Sequence, residues 1–229
     1  MEIIKPSVKL EAITQLVEND SVQSGLNVEK VIEKAGRTCY KSEDKITPDS
    51  ADKFCEMIQT RNHMSVLEHT SATFRIICDR GVSHELVRHR LASYSQESTR
   101  YCNYSKKGMQ FIQPSWISDE ELKKELNLKS GDSISHEQMG VHIWYVHCEE
   151  AELRYNSLIS ECGWTPQQAR AILPNCLKTE IVMTANFREW LHFLELRTAP
   201  QAHPDMQVVA KMIGNKLHEV SPVIFKQVW

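Results

Sequence analysis

No C-x-x-C pair, no G-x-G-x-x-G and no H-E-x-x-H occurs in the 229 residues of this chain. Seven cysteines are scattered at positions 39, 55, 78, 102, 148, 162 and 176, and without close pairs they argue against a disulfide framework or a structural zinc site. Reduced thiols in a cytoplasmic protein are the simpler reading, with most of them filling the core. The missing glycine fingerprint leaves a Rossmann fold without support, and the missing histidine pair does the same for a zinc hydrolase. No apolar run approaches the roughly 18 residues of a membrane span. The N-terminus Met1-Glu2-Ile3-Ile4-Lys5-Pro6 lacks the long apolar stretch of a signal peptide. Charge of one sign is also lacking. Lysine and arginine number 27 against 30 acidic residues, for a formal net charge of −3, so no basic coat for nucleic acid or membrane is indicated. Any anion site must be local.

What is there suits one globular domain over residues 1–229: 41% hydrophobic and 25% charged residues, with no repeat and no low-complexity tract. The patterning predicts a short helix over 28–36 closed by Gly36, and a helix over 49–61 with Phe54, Met57 and Ile58 on one face. Residues 71–78, rich in β-branched and aromatic types, predict a strand. Asp79-Arg80-Gly81 reads as a turn, and 82–91 as a helix with Glu85, Arg88 and His89 on one side. The polar stretch 104–133 reads as surface insertion or loop, and 136–161 as a long helix. Thr165-Pro166-Gln167-Gln168 carries the signature of a helix start, with the helix ending before Pro174. A strand over 177–185 and helices over 187–196 and 205–219 complete an α+β set.

The segment Arg88-His89-Arg90-Leu91-Ala92-Ser93-Tyr94-Ser95-Gln96-Glu97-Ser98-Thr99-Arg100-Tyr101 packs three arginines, a histidine and three serines together. Guanidinium forks match phosphate and carboxylate geometry, and serine hydroxyls add short donors and acceptors. Such a segment is built for an anionic, hydroxyl-rich ligand, and a nucleotide fits.

Its order, R-H-R-x-x-S-x-x-x-x-S-x-R-Y, resembles the signature of flavin-dependent thymidylate synthases. Three further blocks resemble the family in the same order along the chain. They are Gly36-Arg37-Thr38-Cys39-Tyr40, then His63-Met64-Ser65-Val66-Leu67-Glu68-His69. The last runs from Ala169-Arg170-Ala171-Ile172-Leu173-Pro174 through Thr184-Ala185-Asn186-Phe187-Arg188 to Leu196-Arg197. The resemblance implies a compact α+β domain whose central mixed or antiparallel sheet is flanked by helices. It also implies conversion of dUMP to dTMP, with methylenetetrahydrofolate as carbon donor and FAD, recharged by NADPH, as hydride source. No cysteine nucleophile and no metal is implied. The family forms homotetramers with sites shared between subunits, so that assembly is expected.

Carried over position by position, the resemblance implies that dUMP meets Glu85, Arg88, Gln96, Ser98, Arg100, Arg170 and Arg197. Arg197 serves the uracil end and Ser98 lies beside the nucleotide, making these two the expected catalytic residues. FAD is implied to meet Cys39, His63, Ser65, Glu68, Arg88, His89, Arg90, Leu91, Asn186, Arg188 and His192. The chain departs from the family pattern at four of these places. Ser95-Gln96 replaces a frequent Asn-Glu, Glu85 stands where glutamine is common, His192 where asparagine is, and Cys39 where serine often is. Two rival readings use the same residues. One is a flavin or nucleotide binder without turnover, and the other is a small nucleic-acid module, which the acidic total opposes.

Overall fold

The computed structural model describes residues 1–18, 21–22, 25, 27–106, 108–129 and 131–226. In chain order its elements are β1 (Glu2–Ile4), β2 (Ser7–Ile13), β3 (Val17–Glu18), β4 (Ser21–Val22), α1 (Val28–Tyr40), α2 (Ala51–Thr60), β5 (Ser71–Asp79) and α3 (Arg80–Leu86). There follow β6 (Ala92–Gln96), β7 (Gln110–Ile112), α4 (Asp119–Leu126), α5 (Met139–Ser160), α6 (Pro166–Ala169), β8 (Lys178–Asn186), α7 (Phe187–Arg197) and α8 (Pro204–Val220). This is the expected α+β fold, with an antiparallel sheet flanked by helices. No helix among the described residues is long and apolar enough to cross a membrane. The described residues fall into two compact units.

The first unit draws on residues 1–6, 77–86 and 96–181. Here β1 and β7 pair in parallel, from Glu2 opposite Gln110 to Ile4 opposite Ile112. Phe111 of β7 is fully buried with Met109, Leu177 and Ala169, against Cys148, Ala151 and Tyr155 of α5. Those three α5 residues recur at i, i+3 and i+7, which puts them on one helix face. α4 begins with a capping box in which Ser118 and Glu121 satisfy each other's backbone N–H groups. The predicted start at Thr165 is present in the same form, Thr165 with Gln168 and Pro166 in the first turn. The expectation of a surface loop over 104–133 is corrected. Its middle supplies β7 and the core residues Met109, Phe111 and Ile112, and Ile117 and Leu122 pack with Val141 in a small second cluster. Surrounding lysines and glycine masked a strand of only three residues, and so short a run carries little periodicity.

The second unit draws on residues 7–76, 87–95 and 182–226. Its sheet has the order β2-β5-β8-β6. The ends of β2 and β5 meet where Thr14 N–H donates to the Ser71 carbonyl, and Thr73 and Thr184 hydroxyls bond at 2.8 Å across β5 and β8. Along β5 buried and half-buried residues alternate strictly, so Ala72, Phe74 and Ile76 point into the core. Trp190 of α7 lies edge-on to Phe74 at 5.1 Å between centroids and donates its indole N–H to the Ala72 carbonyl. Phe187 meets Phe225 in the same edge-on way at 4.9 Å. β8 passes directly into α7, because the Asn186 side chain accepts the Glu189 N–H and caps the helix.

Two predicted helices differ in extent. α1 does not close at Gly36 but runs on to Tyr40, ending at Lys41 in the left-handed region (φ 49°). Gly36 serves packing instead: a Cβ there would lie 2.5 Å from Cζ of Phe54. α3 starts earlier than predicted, at Arg80, where the Asp79 carboxylate accepts the Val82 N–H, and it stops at Leu86. Arg88 to Leu91 therefore lie outside the helix, so Glu85, Arg88 and His89 do not share a helical face. The Tyr94 hydroxyl donates to the His89 carbonyl at 2.6 Å, taking an acceptor that a continuing helix would use. The following Ala92–Gln96 forms a strand that the patterning did not predict.

Gly36→Ala should raise intrinsic helix propensity by about 1 kcal/mol yet lower net stability, because overpacking against Phe54 costs about 1–3 kcal/mol. Urea midpoints of the two proteins at equal concentration measure this; an unchanged or higher midpoint for the variant would refute the close-approach role.

Candidate active-site cleft

In the second unit a cleft of about 730 Å³ is lined from three separate parts of the chain. The turn Met64–His69 supplies Glu68, the segment after α3 supplies Arg88, His89, Arg90 and Leu91, and the junction of β8 with α7 supplies Asn186, Arg188, Glu189, His192, Leu196 and Arg197. Positions 188, 192 and 196 recur every four residues, so one face of α7 forms a wall. Its opposite face carries Trp190, Phe193 and Leu194 into the core. The same helix thus anchors the fold and presents the cleft.

The cleft's residues divide by exposure. Arg88, Arg90 and Arg188 are exposed, and Leu91 and Leu196 are 74% and 48% exposed. Arg188 Nη1 donates to Glu68 Oε1 at 2.6 Å, joining two residues implied for the flavin. His89, by contrast, is 5% exposed and Glu189 6%. The His89 Nδ1 is 3.0 Å from Glu189 Oε1, and Arg197 Nε donates to His89 Nε2 at 3.0 Å. A guanidinium nitrogen can only donate, so Nε2 is the acceptor and the proton sits on Nδ1 facing Glu189. Burial holds the His89 pKa below its usual value of 6.5 and the Arg197 charge adds to this, while the Glu189 hydrogen bond works the other way. The imidazole is therefore neutral at pH 7. Burial beside Glu189 pushes the Tyr94 phenol up to about 12, keeping it a donor to the His89 carbonyl.

His89, Glu189 and His192 bring ligand-type atoms within 4.8 Å of one another. Both His89 ring nitrogens are already committed, and a guanidinium at hydrogen-bond distance repels a cation. The group is a hydrogen-bonded line in which a metal ion fits poorly.

A neighbouring hollow of about 330 Å³ is lined by Asn62, His63, Met64, Ser65 and Arg188. The Tyr40 hydroxyl and His63 Nδ1 lie 2.6 Å apart, which orients that ring. Cys39 is exposed near the end of α1 and lines neither space. His63, Ser65, Glu68, Arg88 to Leu91, Asn186, Arg188, His192 and Arg197 thus come together in or beside one cleft.

The other predicted residues lie in the first unit. Gln96 donates its amide to Ser83 Oγ at 2.9 Å and to Thr179 Oγ1 at 3.2 Å. Ser98 Oγ accepts the Arg100 backbone N–H, and Arg100 Nε donates to Gln167 Oε1 at 3.1 Å. Arg170 follows α6 in an exposed single turn, and Glu85 is half-buried on α3. Glu97 is committed to Lys178 at 2.7 Å and Tyr104 at 2.9 Å, where it lines a different cavity of about 750 Å³. All seven cysteines are free, and burial pushes the Cys55 and Cys78 thiols well up, which keeps them from acting as thiolates.

A family model described as thymidylate synthase complementing protein matches residues 22–223. A flavin-dependent thymidylate synthase of Corynebacterium aurimucosum is 36% identical over 202 residues, covering 86% of this chain and 78% of the relative. The chain belongs to the flavin-dependent thymidylate synthase family. A second relative in that family, from Geobacter sulfurreducens, is 32% identical over 205 residues, covering 86% and 81%. Two solved structures at 22% identity share the fold. The UMP/dUMP methylase PolB of Streptomyces cacaoi, bound with 5-Br dUMP, has a TM-score of 0.75 and covers 99% of this chain and 96% of its own. Thymidylate Synthase X of Helicobacter pylori, with FAD and dUMP, has a TM-score of 0.71 and covers 96% and 97%. Within this family member, sequence reasoning missed Glu189, Tyr40 and Leu196 as parts of the cleft and its supports. Glu189 carried one signal, an acid three residues after an asparagine cap.

His89 has a depressed pKa in the folded chain, so the unfolded state binds its proton first as pH falls. Its contribution to stability is present above about 6.5 and is lost as pH drops through that value. Unfolding midpoints from pH 8 to 5.5 should fall less steeply in His89→Gln than in the parent; parallel curves would show that His89 does not titrate in this way.

Proposed function

We propose that this family member makes dTMP from dUMP by reductive methylation, with methylenetetrahydrofolate as carbon donor, NADPH as reductant and FAD as cofactor. The observation that carries the reading is the convergence of Glu68, Arg88–Leu91 and Asn186–Arg197, distant in sequence, on one arginine-rimmed cleft. The residues fit a dinucleotide. Exposed Arg88, Arg90 and Arg188 match its phosphates, and exposed Leu91 and Leu196 offer apolar surface to a ring. FAD, when bound, supplies the hydride. The chain's own part is binding, orientation and charge. His63, Ser65, Asn186 and His192 add polar contacts around the cofactor, and Cys39, exposed outside this chain's own cleft, meets the phosphate end of a cofactor held at a site shared between subunits. Arg197 presents a fixed positive charge to the uracil oxygen, where negative charge builds as electrons move through the ring. Ser98, Gln96, Arg100, Arg170 and Glu85 form the nucleotide set. In it Arg100 and Arg170 answer the phosphate, and Gln96, held by Ser83 and Thr179, is a neutral partner where a carboxylate is frequent.

The reading includes one family domain over 1–229, supported by a family model that runs through residues of both units. It includes a cytoplasmic location, supported by free thiols, and a homotetramer. Exposed Trp116, Ile143, Leu153 and Trp164 support subunit contacts, since such surface gains from burial. The rival reading, a binder without turnover, rests on Glu85 and Gln96.

Release of C5 tritium from labelled dUMP should require FAD, NADPH and methylenetetrahydrofolate together. Flavin binding with no release would instead favour the binder. Arg90→Ala should weaken FAD about 10- to 100-fold while leaving dUMP nearly unchanged, and Arg100→Ala should do the reverse. Flavin and nucleotide titrations read both, and equal effects on the two ligands would reject the division.

A further inference from the structure

The least explained feature of the cleft is Glu189, a carboxylate 6% exposed that faces the His89 imidazole. We infer that Glu189 is a positioning residue for Arg197, acting through the His89 ring. The inference rests on the reading above that Arg197 meets the uracil. Arg197 Nε–H needs an acceptor at 3.0 Å, and His89 Nε2 accepts only when it carries no proton. In the other tautomer, or in the imidazolium, two N–H groups would face each other and Arg197 would be turned away. A neutral imidazole in water takes either tautomer, so something must select one. Glu189 does so by accepting the Nδ1–H at 3.0 Å.

Glu189 is well suited to this selection. It lies in the first turn of α7, where the helix dipole favours an anion, and its own backbone N–H is held by the Asn186 cap. The ring it addresses is held from the other side. Tyr94 donates to the His89 carbonyl at 2.6 Å, and Phe193 packs edge-on against the imidazole at 5.0 Å. The groups facing His89 are thus Glu189, Arg197 and His192 from α7 and Tyr94 from β6. The line Asn186–Glu189–His89–Arg197 begins at the sheet and ends at the guanidinium. It uses both His89 ring nitrogens, so His89 meets a flavin through its carbon edge and backbone, and Arg88 and Arg90 supply the polar contacts.

The test reads tautomer and turnover separately. Nitrogen-15 NMR of the full protein, histidine-labelled, should find His89 protonated on Nδ1 alone, and a sharp protected Arg197 Nε–H signal, assigned by its loss in Arg197→Lys. Glu189→Ala should mix the tautomers, broaden the arginine signal and lower kcat for tritium release about 10- to 100-fold, the usual effect of a displaced catalytic group. KM for dUMP and the FAD titration should move less than about threefold. Glu189→Gln, whose amide oxygen can accept the same proton, should restore the tautomer and most of kcat. A parent protein with His89 protonated on Nε2 overturns the inference without any variant, which covers the case in which Glu189→Ala fails to fold. So does Glu189→Ala with tautomer and kcat unchanged. If the parent releases no tritium but shows the expected tautomer shift in Glu189→Ala, the orienting line stands and the proposed reaction fails.

Discussion

His89 is the point on which the cleft turns. A neutral ring held between a carboxylate and a guanidinium satisfies the buried Glu189 and gives the half-buried Arg197 an acceptor, and the buried carboxylate could not be left alone without a large desolvation cost. Drawing that ring inward has consequences along the chain. The helix carrying Ser83 and Glu85 ends at Leu86, and the backbone after it takes an irregular path. Arg88 and Arg90 flank a buried residue and so are left exposed at the rim. The Tyr94 hydroxyl occupies the carbonyl of His89 and fixes where the next strand begins. One buried histidine thereby sets the direction of the arginines on either side of it.

α7 supplies the other half of the arrangement. It follows β8 without a loop, so its first turn inherits the position of the sheet. Trp190 and Phe193 secure its inner face, with Trp190 also bonded to the backbone of β5. The outer face then has little freedom, and the residues on it are displayed at fixed spacing. A site built on a packed helix in this way is more sharply positioned than one built on loops alone.

Much of this was legible in the sequence, and the exceptions have physical causes. The capping signal at Thr165 and the β-branched and aromatic run over 71–78 are local codes, and the structure forms a helix start at the one and a strand at the other. The residues of the cleft were legible through the family signature, which brought together blocks that no local rule connects. The long helix read across Arg88–Leu91 failed because helical propensity there is overridden by the burial of His89, a tertiary event. Gly36 reads as a terminator in the sequence, since glycine closes many helices, yet its role depends on Phe54, eighteen positions away. Glu189 does not stand out in the sequence because an acid in the first turn of a helix is ordinary until its partner is known. The short strand at Gln110–Ile112 lies among polar residues and shows itself only through its pairing with β1.

The ion pair between Arg188 and Glu68 has a bearing on what the cleft selects. An anion that takes the Nη1 donor of Arg188 must displace a carboxylate already seated there. A ligand carboxylate would exchange one such contact for its equal and gain little. A phosphate group, with more charge and more acceptor oxygens, gains from the exchange. Glu68 is thus a resident competitor for that donor, one that an anion of higher charge density displaces more readily than a carboxylic acid does.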